Sequence, residues 1–145
     1  MKLILDSYLP YRLSVASNKV SALVAKAYQA RFGLSIAAWR VLAILNEKSP
    51  LSQLEITQFA AMDKVSVSRA VSALLERGLI VRRLAANDKR TQSLSLSSDG
   101  QAIVDEIIPL AKDIEKQLIE SLGTEKSKLL ESILREIETS AEKIR

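Results

Sequence analysis

Residues 61–78 read AMDKVSVSRAVSALLERG, and the way this stretch folds decides how the rest of the chain is arranged. Asp63 is placed to cap a helix that Gly78 closes. Val67, Ala70, Val71, Leu74 and Leu75 recur at helical spacing on one face, and Ser66, Ser68, Arg69, Ser72 and Ala73 occupy the other. A helix face that meets only water tends to carry Glu and Lys, which have good helix propensity; serine has less. A small, hydroxyl-rich face with one arginine suits close approach to a groove, where Ser donates to phosphates or bases and Arg reaches guanine or phosphate. The pattern also fits a helix that is merely serine-rich, so the flanking segments have to separate the two readings.

Upstream, Ser52-Gln53-Leu54-Glu55 has the form of a capping box, opening a short helix to about Ala60. Two helices joined by a three- or four-residue turn, the second with such a face, make a helix-turn-helix. Downstream, Leu79-Ile80-Val81-Arg82-Arg83-Leu84 is rich in β-formers, and Ala85-Ala86-Asn87-Asp88 is turn-like. Ser93-Leu94-Ser95-Leu96-Ser97 alternates with period two, a strand with its leucines toward a core and its hydroxyls outside. The hairpin makes the helix-turn-helix winged. Its tip carries Lys89 and Arg90, with Arg82 and Arg83 nearby, charges suited to a DNA backbone or to the negative minor groove. Asp88, two residues before Arg90, is in reach to orient that guanidinium by a charge-assisted hydrogen bond.

Further out, Leu13, Ala16, Val20, Leu23 and Ala27 line one face of a helix from about Pro10 to Arg31 that Gly33 ends. Ser35 is an N-cap for a helix from Ile36 to about Asn46, apolar on several sides through Trp39, Val41, Leu42, Ile44 and Leu45. Beyond the wing, Ser97 or Asp99 caps a helix with Ile103, Ile107, Leu110, Ile114, Leu118 and Leu122 on a stripe; Pro109 should kink it or mark a local break. Gly123-Thr124 separates it from a helix bearing Leu130, Ile133, Ile137 and Ile144. Together with the first helix these offer more apolar surface than a monomer easily covers, which points to a homodimer rather than to a monomer with a longer bundle.

Composition narrows the chemistry. The 145 residues suit about one domain, and 48% are hydrophobic, enough for a core. There is no cysteine and no histidine, which removes disulfides, thiol switches and transition-metal sites built on nitrogen or sulfur. The four glycines form no phosphate-binding loop. Asp105, Glu106, Asp113 and Glu115 lie at helix-surface spacing near Lys112 and Lys116, the pattern of solvated ion pairs. Neither an enzyme nor a cofactor is expected. With no apolar run near the roughly 20 residues of a bilayer span, the expectation is a soluble cytoplasmic protein without a membrane partner. Residues 1–95 carry 14 Lys/Arg against 6 Asp/Glu, whereas residues 96–145 carry 7 against 11. The basic surplus therefore coincides with the winged part, as a nucleic-acid-facing segment requires.

Taken together, Asp63-Lys64-Val65-Ser66-Val67-Ser68-Arg69, Leu75-Glu76-Arg77-Gly78-Leu79-Ile80, Asp88-Lys89-Arg90 and Leu96-Ser97-Ser98-Asp99-Gly100 give the chain a form that resembles the MarR family of bacterial transcription regulators over nearly its whole length. Val65 stands where that family often has a polar residue, and Ser97 where it often has threonine. The resemblance implies a mainly α fold with a small β-hairpin wing: a winged helix-turn-helix (35–100) flanked by dimerisation helices (8–34 and 101–145). It implies a dimer on a pseudo-palindromic stretch of double-stranded DNA, with recognition helix 64–77 in the major groove and wing 82–92 in the minor groove. Lys64, Ser66, Ser68, Arg69 and Ser72 then face DNA from the helix, and Arg82, Asp88, Lys89 and Arg90 from the wing. It implies a repressor released by a small, often aromatic, acidic effector, for which Tyr11, Tyr28, Trp39 and Arg40 are candidate cavity residues, Arg40 meeting a carboxylate. The alternative is a helical protein–protein interaction module that reads no DNA.

Overall fold

The computed structural model describes residues 1–85 and 88–145, with side chains described outside 85–91. It divides into two compact units, Met1–Leu110 and Ala111–Arg145. The element order is a short 3-10 turn (Leu5–Ser7), α1 (Leu9–Ala25), α2 (Gln29–Phe32), α3 (Ile36–Lys48), α4 (Gln53–Ala60), α5 (Lys64–Glu76), β1 (Ile80–Ala85), β2 (Asp88–Leu96), α6 (Ser98–Leu122) and α7 (Thr124–Lys143). Among the described residues this is a mainly helical fold with one β-hairpin.

Local chemistry sets most of the boundaries. The Ser35 hydroxyl accepts from the Ala38 amide at 3.0 Å to start α3. Ser52 and Glu55 close both halves of their capping box at 3.1 and 3.0 Å to start α4. Ser97, rather than Asp99, caps α6, its hydroxyl accepting from the Gly100 amide at 3.0 Å. Gly33 and Gly123 take positive φ of 64° and 92°, and end α2 and precede α7 respectively.

One expectation is corrected and another narrowed. The first helix does not run unbroken to Arg31. After Ala25 the amides of Lys26, Ala27 and Tyr28 bond three residues back, to Leu23, Val24 and Ala25, a tightened 3-10 turn that lets Ala25, Ala27 and Tyr28 all be buried. A straight helix would carry one of them out to solvent. Pro109, expected to kink its helix or mark a local break, makes no break: α6 is continuous through it from Ser98 to Leu122.

In the first unit, α3 is the central element, packed against α1, α4, α5 and β2. Val41, Leu42 and Leu45 of α3, Ile56 of α4, and Val67, Val71 and Leu74 of α5 make the core, joined by Ile80, Val104 and Ile107. At roughly 1.5–3 kcal/mol for each fully buried large aliphatic side chain, this cluster is the main stabilising contribution of the unit. The hairpin is antiparallel, with Ile80 opposite Leu96, Arg82 opposite Leu94 and Leu84 opposite Gln92. Leu51 exchanges both backbone hydrogen bonds with Leu94, at 3.1 and 2.7 Å, and so ties the hairpin to the segment before α4. Leu94 is buried but Leu84, farther out along the same face, is 57% exposed; it keeps the alternation where there is no core left to meet.

The second unit is the end of α6, Gly123 and α7. Ile119 and Leu122, and Leu129, Leu130, Ile133 and Leu134 of α7, are exposed large apolar side chains.

Candidate functional site

The helix-turn-helix is α4, the three-residue turn Ala61-Met62-Asp63, and α5. Asp63 starts α5 with both carboxylate oxygens: Oδ1 accepts from the Ser66 amide at 2.8 Å and Oδ2 from the Ser66 hydroxyl at 2.6 Å. These bonds, the hydroxyl first, hold the exposed Asp63 carboxyl below the usual aspartate range. Ser66 therefore spends its donor on the cap and offers only acceptor capacity outward. Val67, Ala70, Val71 and Leu74 are buried, which turns Lys64, Val65, Arg69, Ser72 and Ala73 to solvent, with Ser66 and Ser68 half-buried. The outer face expected of α5 is thus present, and Val65, 58% exposed, adds an apolar patch at its start.

On the wing, Arg82 and Arg83 are both exposed. Being consecutive on β1 they lie on opposite faces of the hairpin, so a surface meeting one face meets one of the pair. Arg82 shares the face of Leu94 and Leu84 through its register. The side chains of Asp88, Lys89 and Arg90, and with them the orienting bond between Asp88 and Arg90, lie outside the described residues.

The hairpin's base is fixed by backbone chemistry. The Ser97 hydroxyl, besides capping α6, donates to the Gly78 carbonyl at 2.6 Å, and the Ser97 amide donates to the Leu79 carbonyl at 3.0 Å. Gly100 lies so close to Leu79 that a Cβ built there would be 1.9 Å from the Leu79 oxygen. At the other side of α5, Arg77 donates from Nη2 to the Phe32 carbonyl at 2.8 Å and from Nη1 to the Gly33 carbonyl at 3.4 Å, anchoring the recognition helix to the end of α2. These links join residues 44 and 45 positions apart, and no sequence signal announced them.

A cavity of about 250 Å³ opens between α1, Tyr28 and α3. Val20, Val24, Ile36 and Ala43 make its apolar wall, Tyr28 and Trp39 its aromatic one, and Ser21 and Arg40 its polar groups. The Tyr28 and Trp39 rings stack, with centroids 5.5 Å apart and planes 25° apart. Burial pushes the Tyr28 hydroxyl pKa up, while the nearby Arg40 charge pulls it down. Tyr11 is exposed on the first turn of α1 and lines no part of this cavity; Ser21 is a lining residue that the sequence reading missed. The volume lies just below the roughly 300–1,000 Å³ of drug-sized sites, so the space suits one small molecule. A second cavity of about 410 Å³, bounded by Ser17, Asn18, Met62 and Asp63, shares Ser21, Ile36 and Arg40 with the first.

Among the described residues, no cluster of His, Cys, Asp and Glu could hold a metal ion, and no helix is long and apolar enough to cross a membrane.

The comparisons agree with this geometry. A MarR family model matches residues 32–91, a segment that starts at the end of α2 and reaches into β2. The HTH-type transcriptional regulator FarR of Neisseria gonorrhoeae is 30% identical over 99 residues, 68% of each chain. Among solved structures, a MarR/EmrR family regulator from Acinetobacter sp. ADP1 superposes with a TM-score of 0.87 at 26% identity, covering 98% of this chain and 100% of that one. Bordetella bronchiseptica BpsR, whose DNA binding is regulated by 6-hydroxynicotinic acid, shares the fold at a TM-score of 0.82 and 21% identity, over 95% of this chain and 98% of that one. With the helix-turn-helix, the wing and these relatives in agreement, the chain belongs to the MarR family of winged helix-turn-helix transcriptional regulators.

Proposed function

We propose that this regulator acts as a homodimeric repressor that reads a pseudo-palindromic operator, with α5 in the major groove and the hairpin in the minor groove, and lets go when a small aromatic acid fills the cavity beside Trp39. The observation that carries the reading is the outer face of α5. Lys64, Ser68, Arg69 and Ser72 stand on a helix whose opposite side is locked into the core by Val67, Val71 and Leu74, so the face is presented rigidly, with short serines beside two long cationic side chains. Ser66 contributes its hydroxyl oxygen as an acceptor. Arg82, Lys89 and Arg90 supply the wing's positive charge, Arg90 being the residue that the family resemblance sends into the minor groove.

The second copy is supported by the second unit. Leu129, Leu130, Ile133 and Leu134 form an exposed apolar stripe on α7, of the kind that marks an interaction surface. A two-fold dimer covers such a stripe with its own equivalent and sets two recognition helices at a spacing of about one DNA turn, roughly 34 Å. For the effector, the support is the lining: a flat aromatic pair, an apolar wall and one guanidinium, which together suit a planar ring bearing a carboxylate.

Fluorescence anisotropy with DNA from upstream of the protein's own gene, against a scrambled duplex, tests the reading. Arg69→Ala and Arg90→Ala should each weaken binding by roughly 1–3 kcal/mol, and affinity should fall steeply with added salt as phosphate contacts release counterions. Equal affinity for the operator and scrambled duplexes, or variants that bind as tightly as the parent, would overturn it.

A further inference from the structure

Arg40 belongs to both cavities, forming part of the wall of each. From that position its Nη1 donates to the carbonyl of Ala60 at 3.0 Å, a contact between residues 20 positions apart. Ala60 is the last residue of α4, where carbonyls have lost their intrahelical partners. The next residue, Ala61, adopts left-handed backbone at φ 53° and ψ 38°, a conformation that costs a residue with a Cβ roughly 1 kcal/mol. Two residues later Asp63 caps the recognition helix. The guanidinium therefore fastens a strained turn at the place from which α5 takes its direction, and it does so from inside a cavity that a ligand can reach.

We propose that Arg40 is a positioning residue for DNA recognition and the point through which the cavity's occupant acts. Its guanidinium holds the Ala60 carbonyl, and a carboxylate in the aromatic cavity draws it away. The second half rests on the aryl-carboxylate reading of that cavity; the first half does not. The exchange favours the ligand because a guanidinium–carboxylate pair is charged on both sides and can be bidentate, whereas the Ala60 carbonyl offers the guanidinium one bond to a neutral acceptor. The carboxylate belongs in the aromatic cavity rather than the neighbouring one, because Asp63 lines the latter and would repel it. Once the bond is lost, the Ala60 carbonyl turns to water and the left-handed turn is free to relax. The start of α5 then loses its fixed position while the core behind Val71 and Leu74 stays intact. No change of overall fold is needed, only one donor moved from one oxygen to another.

The test uses the full chain and hydrogen exchange followed by NMR. The reporters are the Ser66 and Val67 amides, which bond to the Asp63 side chain and carbonyl. Trp39, the single tryptophan of the chain, reports occupancy by fluorescence quenching. Without ligand, Arg40→Gln, whose neutral amide is too short to reach Ala60, should raise exchange at these two amides roughly tenfold, and Arg40→Lys, which keeps a long charged donor, should restore part of the protection. In the parent protein benzoate should quench Trp39 and raise exchange at the same amides. Benzamide, of the same shape without the charge, should leave them protected. In Arg40→Gln, benzoate should add nothing. Unchanged protection in a folded Arg40→Gln variant would overturn the hold on Ala60. If that variant does not fold, the benzoate and benzamide comparison on the parent decides alone: quenching without faster exchange overturns the competition. An absence of quenching by benzoate would overturn the aryl-carboxylate reading of the cavity instead, with the ligand-free variants still judging the hold.

Discussion

Replacing Gly100 with alanine should unfold this protein's wing base even though alanine is the better helix former. In an ordinary helix interior the change gains about 1 kcal/mol. Here the added Cβ would lie 1.9 Å from the Leu79 carbonyl oxygen, 2.9 Å from its carbon and 3.4 Å from its Cα, where a carbon and an oxygen need about 3.3 Å. The obstacle is backbone, so the helix start has to move by more than an ångström. That movement strains the Ser97 amide bond to the same Leu79 carbonyl and the Gly100 amide bond to the Ser97 hydroxyl. Overpacking at about 1–3 kcal/mol and two hydrogen bonds at about 1 kcal/mol each, less the propensity gain, leave a loss of about 3 kcal/mol. For a chain of this size that is a fall in Tm of roughly 10 °C, measured by circular dichroism at matched protein concentration, since the proposed dimer would make Tm concentration-dependent. Gly78→Ala is the companion variant: its φ of 70° strains a side chain, but nothing lies within 4 Å of its Cβ, so it should lose only about 1–2 kcal/mol. A Gly100→Ala protein that melts within about 2 °C of the parent, or as little changed as Gly78→Ala, would refute the close-approach argument.

Two further outcomes follow from the anchors of α5. Because the Asp63 carboxyl is held below its ordinary range by Ser66, its contribution to the folded state is complete above the unfolded-state pKa and disappears as pH falls through the folded one. Protection of the Ser66 and Val67 amides should therefore decline in acid. Asp63→Asn, which keeps an acceptor for the cap, should flatten that decline, and an Asn variant with the parent's acid profile would refute the assignment. Arg77→Ala removes the donors to Phe32 and Gly33 and should lower stability by about 1 kcal/mol, an exposed bond being partly replaced by water. Chemical denaturation measures this. Since Arg77 lines neither cavity, its loss should leave quenching of Trp39 by benzoate unaltered.

What could be read in advance was whatever the chain encodes within a few residues. Ser35, Ser52 and Asp63 cap as their positions imply because a cap involves a side chain and an amide three residues on. The hairpin was legible because Leu94 and Leu96 alternate with serines and follow a run of β-formers. The break after Ala25 was not, because it carries no glycine or proline; it is imposed by the burial of Tyr28 against Trp39. The roles of Arg40 and Arg77 were equally hidden. Each meets a backbone carbonyl far away in sequence, and a carbonyl has no residue type to betray it. Arg40 was singled out for its charge beside aromatics, while its bond to Ala60 emerges only once α3 and α4 are packed together. Leu54 and Phe59 of α4, 67% and 51% exposed, show the converse: apolar letters in a short helix do not say which of them face inward.

The hydroxyl of Ser97 gives to one carbonyl and takes from one amide, and these belong to the end of the recognition helix and the start of α6. For anyone wishing to exchange wings between regulators of this family, that single oxygen defines the cassette. A hairpin transplanted alone would arrive with its strands but without the latch that fixes their tilt. The portable piece is Gly78 through Gly100, because the glycine at one end accepts the hydroxyl and the glycine at the other makes room for the backbone it closes upon.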